Sequence, residues 1–178
     1  KSYHLMLEIL AEHGRGKVFD LWLGKKKHVK RAIQIYRQYM PDIKITCEAK
    51  KILDLYLNSP LYLVTDGNKN VQSNKIRSLS ISKYFKKVYV THRYGLKNAK
   101  PSTHCFSLIK ERENCEWDDM IYVGDNPHKD FVGVKKLGVR TVRVLTGDYS
   151  GDSVTPEFDA DEKINDLLQL ERLLENGK

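Results

Sequence analysis

Cysteine is scarce in this chain. Cys47, Cys105 and Cys115 are the only three in 178 residues, and no Cys-x-x-Cys pair occurs. A disulfide framework, a structural zinc site and a dithiol redox motif are therefore not expected. Reduced thiols in a cytoplasmic protein are the simplest reading. Long apolar runs are also lacking, so no segment reads as a membrane span. The first residues, Lys1-Ser2-Tyr3-His4, lead into an amphipathic segment and not into a small-residue cleavage site, so a signal peptide is not expected. Helix-turn-helix, zinc-finger and RNA-binding signatures are missing too, and the basic residues are spread along the chain. Binding to nucleic acid is not expected, even from the densest basic run, Lys25-Lys26-Lys27 with Lys30 and Arg31. The chain begins with Lys and not Met, which fits a piece of protein lying upstream.

What is present reads as a globular chain. Hydrophobic residues make up 40% and charged residues 30%, which excludes a disordered composition. The formal net charge of +8 fits either plain solubility or attraction to an anionic partner, such as a small phosphorylated substrate. The length suits one domain with a small appendage.

The pattern changes along the chain. Residues 2–13 and 28–40 carry apolar residues at helical spacing, with Gly14 ending the first and Pro41 the second. Thr46 is placed to cap a third helix holding Ala49, Ile52, Leu53 and Tyr56. From Leu61 onward, short continuous apolar runs alternate with helical segments. Leu61-Tyr62-Leu63-Val64, Val88-Tyr89-Val90, Met120-Ile121-Tyr122-Val123 and Thr141-Val142-Arg143-Val144-Leu145 read as buried parallel strands. Helices are expected over 71–79, 101–112, 127–137 and 166–175, the last capped by Asn165. The fold class is α/β: a Rossmann-like parallel sheet with helices on both faces, preceded by a small N-terminal helical cap or its remnant. The expected division is 1–44 for the helical segment and 45–178 for the core.

In an open parallel sheet, ligands bind at the C-terminal ends of the strands. After the first strand comes Thr65-Asp66-Gly67-Asn68. Before the helix at 101 lies Asn98-Ala99-Lys100-Pro101. After the third strand comes Gly124-Asp125-Asn126-Pro127, with Asp130 one turn further. Alone, each has a plain reading: a turn or cap residue for Thr65, a solvated lysine for Lys100, a helix start for Asp125. Together they set a hydroxyl, an ammonium and two carboxylates around one crevice. That equipment suits a phosphoryl group and a Mg²⁺ ion. His28, His92, His104 and His128 read as surface or capping residues and not as ligands.

These three segments resemble the second, third and fourth motifs of the haloacid dehalogenase-like (HAD) hydrolases. The most specific is Val123-Gly124-Asp125-Asn126-Pro127-His128-Lys129-Asp130, in the form Gly-Asp-x-x-x-x-Asp. The resemblance implies that Thr65 and Lys100 are catalytic, with Thr65, Asp66, Gly67 and Lys100 contacting phosphate. It also implies Mg²⁺ as cofactor, held by Asp125 and supported by Asp130. Asn126 would add a polar contact. The implied activity is phosphohydrolysis of a small phosphorylated metabolite through an aspartyl-phosphate.

The first Asp-x-Asp motif of that family does not stand where it should. Asp20, in Val18-Phe19-Asp20-Leu21-Trp22, has tryptophan at the second acidic position. Asp159-Ala160-Asp161 has the spacing but follows the fourth motif. The nucleophile is therefore expected on a strand upstream of Lys1. The alternative is a noncatalytic HAD-like binding or scaffold domain. A sheet lacking its central strand would expose unpaired edges on the neighbours of the gap.

Overall fold

The computed structural model describes residues 3–175. The backbone divides into two units, with the boundary between Pro41 and Asp42, a few residues ahead of the expected one. The first unit is helical: α1 (Tyr3–His13), a 3₁₀ turn, α2 (Val18–Leu23) and α3 (Lys26–Gln38). Ile9 and Val29 are its buried apolar side chains, and the rings of Phe19 and Tyr36 meet edge to face at 6.1 Å. Asp20 sits on the short α2, exposed, and not on a strand.

The second unit is the α/β core. It opens with α4 (Cys47–Leu55), capped as expected: Thr46 Oγ1 accepts from the Ala49 N–H at 3.2 Å. Then follow β1 (Tyr62–Thr65), α5 (Lys69–Leu79), β2 (Lys87–Val90), α6 (His104–Glu113), β3 (Ile121–Gly124), α7 (Val132–Lys135), β4 (Arg140–Val144), β5 (Glu162–Ile164) and α8 (Gln169–Glu175). All strand pairings are parallel. β1 lies beside β2 with Leu63 opposite Val88, and the second group runs β3-β4-β5 with Val123 opposite Val142.

The sheet is thus in two pieces. Among the described residues, β1 pairs with β2 alone and β3 with β4 alone, so each keeps one edge without a strand partner. A common helix layer still covers both pieces. Cys105, Phe106 and Ile109 of α6 cluster with Val64 of β1, Tyr89 of β2, and Val134 and Val139 around α7, and Tyr122 of β3 packs against that cluster. Phe106 meets the Tyr122 ring edge-on at 4.8 Å. On the opposite face, Ile52 of α4 and Leu170 of α8 pack with Val142, Val144 and Ile164. Each such buried side chain contributes roughly 1.5–3 kcal/mol of transfer free energy, so both faces hold their helices without a continuous ladder.

Three expectations change. The helix expected over 127–137 shrinks to α7, because residues 125–130 are held in a turn by the Asn126 and Asp130 side chains. The last helix begins at Gln169, and Asn165 does not cap it. Instead Asp166 accepts from the Leu168 N–H at 2.7 Å, and the Asn165 N–H donates to Gln169 Oε1. β5 is an additional strand: three residues, only Ile164 of them buried.

Candidate active site

β1, β2 and β3 end at the same edge, and the loops leaving them carry the polar residues. β1 stops at Thr65 because Asp66-Gly67 turns the chain, with Gly67 at φ 132°, and Asn68 then caps α5 by accepting from the Asn70 N–H at 3.0 Å. The Thr65 hydroxyl donates to Gln72 Oε1 of α5 at 3.1 Å. That bond fixes the hydroxyl at the strand end.

Asp66 is the point where the loops meet. One of its oxygens accepts from the Thr91 hydroxyl at 2.7 Å and from the Lys100 N–H at 3.1 Å. The other lies 3.3 Å from Lys129 Nζ. The Asp66 carboxyl is held below the usual carboxylate range: burial works against it, and these donors and cations outweigh burial. Asp66 therefore stays ionised and ties the ends of β1 and β2 to the loops before α6 and after β3.

Lys100 and Asp130 form the buried centre. Lys100 Nζ lies 2.7 Å from Asp130 Oδ1, with only 9% and 2% of the two side chains exposed. The Tyr122 hydroxyl, from β3, accepts from Lys100 Nζ at 3.0 Å and donates to Asp130 Oδ1 at 3.2 Å. Asp130 Oδ2 accepts from the Asn126 N–H at 3.0 Å. Burial alone would lower the lysine pKa, but Tyr122 and Asp130 hold the ammonium above its usual range. Burial pushes the Tyr122 hydroxyl upward as well, so it remains protonated.

Two glycines permit these approaches. A Cβ on Gly124 would lie 2.7 Å from Asp130 Oδ2, and one on Gly133 would lie 2.1 Å from the Pro101 carbonyl oxygen. Gly124 lets Asp130 fold back under β3. Gly133 lets α7 press on the loop that carries Lys100.

Asp125 differs from its neighbours. It is exposed, and among the described residues it makes no ion pair or hydrogen bond with another side chain. Partial desolvation and the nearby Asp130 charge raise its carboxyl above the ordinary value. A cation beside Asp125 would relieve that repulsion. Asp130 is already bonded through both oxygens. Among the described residues no group of three or more His, Cys, Asp and Glu side chains could hold a metal ion by itself. The donor set fits a hard cation that takes one carboxylate here and completes its shell with water and phosphate oxygens.

The structure brings together Asp66, Lys100, Asp130 and, at the same loop, Asp125. Thr65 stands at the neighbouring strand end, bonded to α5 and not to the others. Thr91, Tyr122 and Lys129 join the network without having been singled out from sequence. Thr91 follows the last residue of β2 and Tyr122 lies within β3, and their roles come from the side chains that meet them from other elements. Asp159 and Asp161 serve elsewhere: Asp159 binds the buried Arg143 at 3.1 Å, and Asp161 accepts from the Thr141 N–H and hydroxyl at the start of β4.

Comparison with known proteins agrees with this architecture. The family model for haloacid dehalogenase-like hydrolases matches residues 15–144. A glyceraldehyde 3-phosphate phosphatase from Methanocaldococcus jannaschii is 32% identical over 82% of this chain, and the match spans 60% of that relative's length. A HAD-superfamily hydrolase of subfamily IA from Geobacter sulfurreducens superposes with a TM-score of 0.72 at 17% identity, over 98% of this chain and 79% of the other. A HAD-hydrolase from Bacillus subtilis, solved bound to magnesium, gives 0.70 at 18% identity, over 95% and 77%. With the family model covering most of the core and the loops meeting at Asp66, Lys100 and Asp130, this chain belongs to the haloacid dehalogenase-like hydrolase family.

Proposed function

We propose that this chain is the greater part of a Mg²⁺-dependent phosphohydrolase acting on a small phosphorylated metabolite. The observation that carries the reading is the buried Lys100–Asp130 pair, tied through Asp66 to the ends of β1 and β2. A lone structural ion pair gives little net stability when buried. A charged lysine held at a strand-end crevice, beside an unpaired Asp125, suits the charge of a transferring phosphoryl group. The phosphatase relative supports the substrate class.

In this reading Lys100 offsets charge on the phosphoryl oxygens and on the nucleophile. Asp130 and Tyr122 position Lys100 and keep it protonated. Thr65 and the backbone N–H groups at Asp66 and Gly67 bind phosphate oxygens. Asp125 holds the metal, which would supply Lewis-acid charge at the phosphoryl oxygens. Asp66 keeps the loops in register.

The divided sheet supports a position for the nucleophile. Lys129 and the Lys100 N–H, both bonded to Asp66, tie the loop after β3 and the loop before α6 to the end of β1, and in this reading the unpartnered edges of β1 and β3 border one gap. One parallel strand there would complete the sheet and deliver a carboxylate between Thr65 and Asp125. That strand lies upstream of the chain described, and its carboxylate would form an aspartyl-phosphate. The test is turnover of a panel of phosphomonoesters by the protein carrying its upstream segment. We expect activity that EDTA abolishes and that Asp125→Asn lowers at least ~100-fold. Full activity in Asp125→Asn would remove the metal role, and no turnover at all would favour a noncatalytic domain.

A further inference from the structure

A cleft of about 660 Å³ opens beside the site, lined by Asn68, Lys69, His92, Arg93 and Leu96. Its lining has two cations and no acidic residue. Neither Lys69 nor Arg93 pairs with a carboxylate among the described residues. Arg93 Nη2 donates to the neutral Ser73 hydroxyl at 2.9 Å, which aims the guanidinium and leaves its charge uncompensated. Several other cations of the core do find acids: Lys86 with Glu113, Lys135 with Asp161, Arg140 with Glu162 and Arg143 with Asp159.

Its position is fixed relative to the site. Arg93 follows two residues after Thr91, whose hydroxyl bonds Asp66, and Lys69 follows three residues after Asp66. Two residues of chain reach at most about 7 Å, so the cleft lies within one small molecule's length of the strand ends. A planar guanidinium and a mobile ammonium bind a carboxylate or a phosphate through charge-assisted hydrogen bonds. A phosphoryl group held at Thr65 and Lys100 would leave the far end of its molecule facing this cleft.

We propose that the Lys69–Arg93 cleft binds a second anionic group on the substrate, so that the preferred substrates are phosphorylated acids and not phosphate esters with neutral tails. The proposal rests on the phosphohydrolase reading for the phosphoryl end and adds the recognition of the other end.

The experiment pairs 3-phosphoglycerate with glycerol 3-phosphate, which differ by a carboxylate in place of a hydroxymethyl group. Calorimetric titration of the 178-residue chain with Mg²⁺ present, where the account expects no turnover, reads binding alone. The protein should bind 3-phosphoglycerate at least about fivefold more tightly, as expected of one charge-assisted contact. Lys69→Gln with Arg93→Gln should erase the difference and leave glycerol 3-phosphate within about twofold, since both side chains are exposed. Arg93→Lys should retain part of the preference. Glycerol 1,3-bisphosphate tells whether the cleft takes a phosphate more tightly than a carboxylate, and a preference for either supports the proposal. Equal binding of all three ligands, a preference for glycerol 3-phosphate, or a preference untouched by the double substitution would overturn it. An intact preference with no turnover by the protein carrying its upstream segment would instead sink the phosphohydrolase reading and leave the anion site standing.

Discussion

Lys100→Met is the substitution whose cost follows most directly from the structure. It keeps the length and apolar stem of the side chain and deletes its charge. Asp130, with 2% of its side chain exposed, would lose the ammonium 2.7 Å away. Removing one partner of a buried pair costs about 3–5 kcal/mol, because the remaining charge stays buried. Tyr122 and the Asn126 N–H still donate to Asp130, so the loss should fall near about 3 kcal/mol. Adding Asp130→Asn removes the orphaned charge, and the double variant should recover about 1–2 kcal/mol relative to Lys100→Met. Urea unfolding followed by circular dichroism measures both. A Lys100→Met protein within about 0.5 kcal/mol of the parent, or a double variant less stable than the single one, would refute the buried-pair account.

Other consequences can be checked in the same way. Gly133→Ala should lose about 1–3 kcal/mol in urea unfolding, since its Cβ meets a backbone carbonyl that cannot swing aside. Thr91→Val should lower stability by about 1–2 kcal/mol, because Asp66 loses a buried hydroxyl donor. Asp159 lies below the usual carboxylate range: burial opposes ionisation, and Lys163 and Arg143 outweigh burial. Its folded pKa is depressed, so its contribution is present above the unfolded value and lost as pH falls below about 4. Stability measured from pH 6 down to about pH 3 should fall less steeply in Asp159→Asn than in the parent, and identical slopes would discard the assignment.

The sheet was readable because parallel strands covered on both faces must be apolar throughout. Leu61-Tyr62-Leu63-Val64 and Val142-Arg143-Val144 show this directly, and the buried Arg143 is tolerated through Asp159 and the carbonyls of Tyr149 and Asp152. β5 escaped notice because Glu162-Lys163-Ile164 is short, charged and half-exposed. The helix expected after Asp125 was too long because Pro127 and Asn126 resemble a helix start, and the Asp130–Asn126 bond holds a turn instead. Thr65 and Asp125 announced themselves as candidates by standing at strand ends, and Lys100 by its place ahead of α6. Tyr122 and Thr91 did not, because their roles depend on which side chains approach across the sheet, a matter of tertiary geometry and not of spacing.

The central claim is that one more strand, between β1 and β3, completes the sheet and brings the nucleophile to Lys100 and Asp125. The direct measurement compares phosphate release from 3-phosphoglycerate and glycerol 3-phosphate by the 178-residue chain and by the protein extended upstream of Lys1, both with Mg²⁺. The account predicts turnover in the extended protein and none above background in the shorter chain. Equal turnover by the two would place the nucleophile within the residues described here and contradict the account.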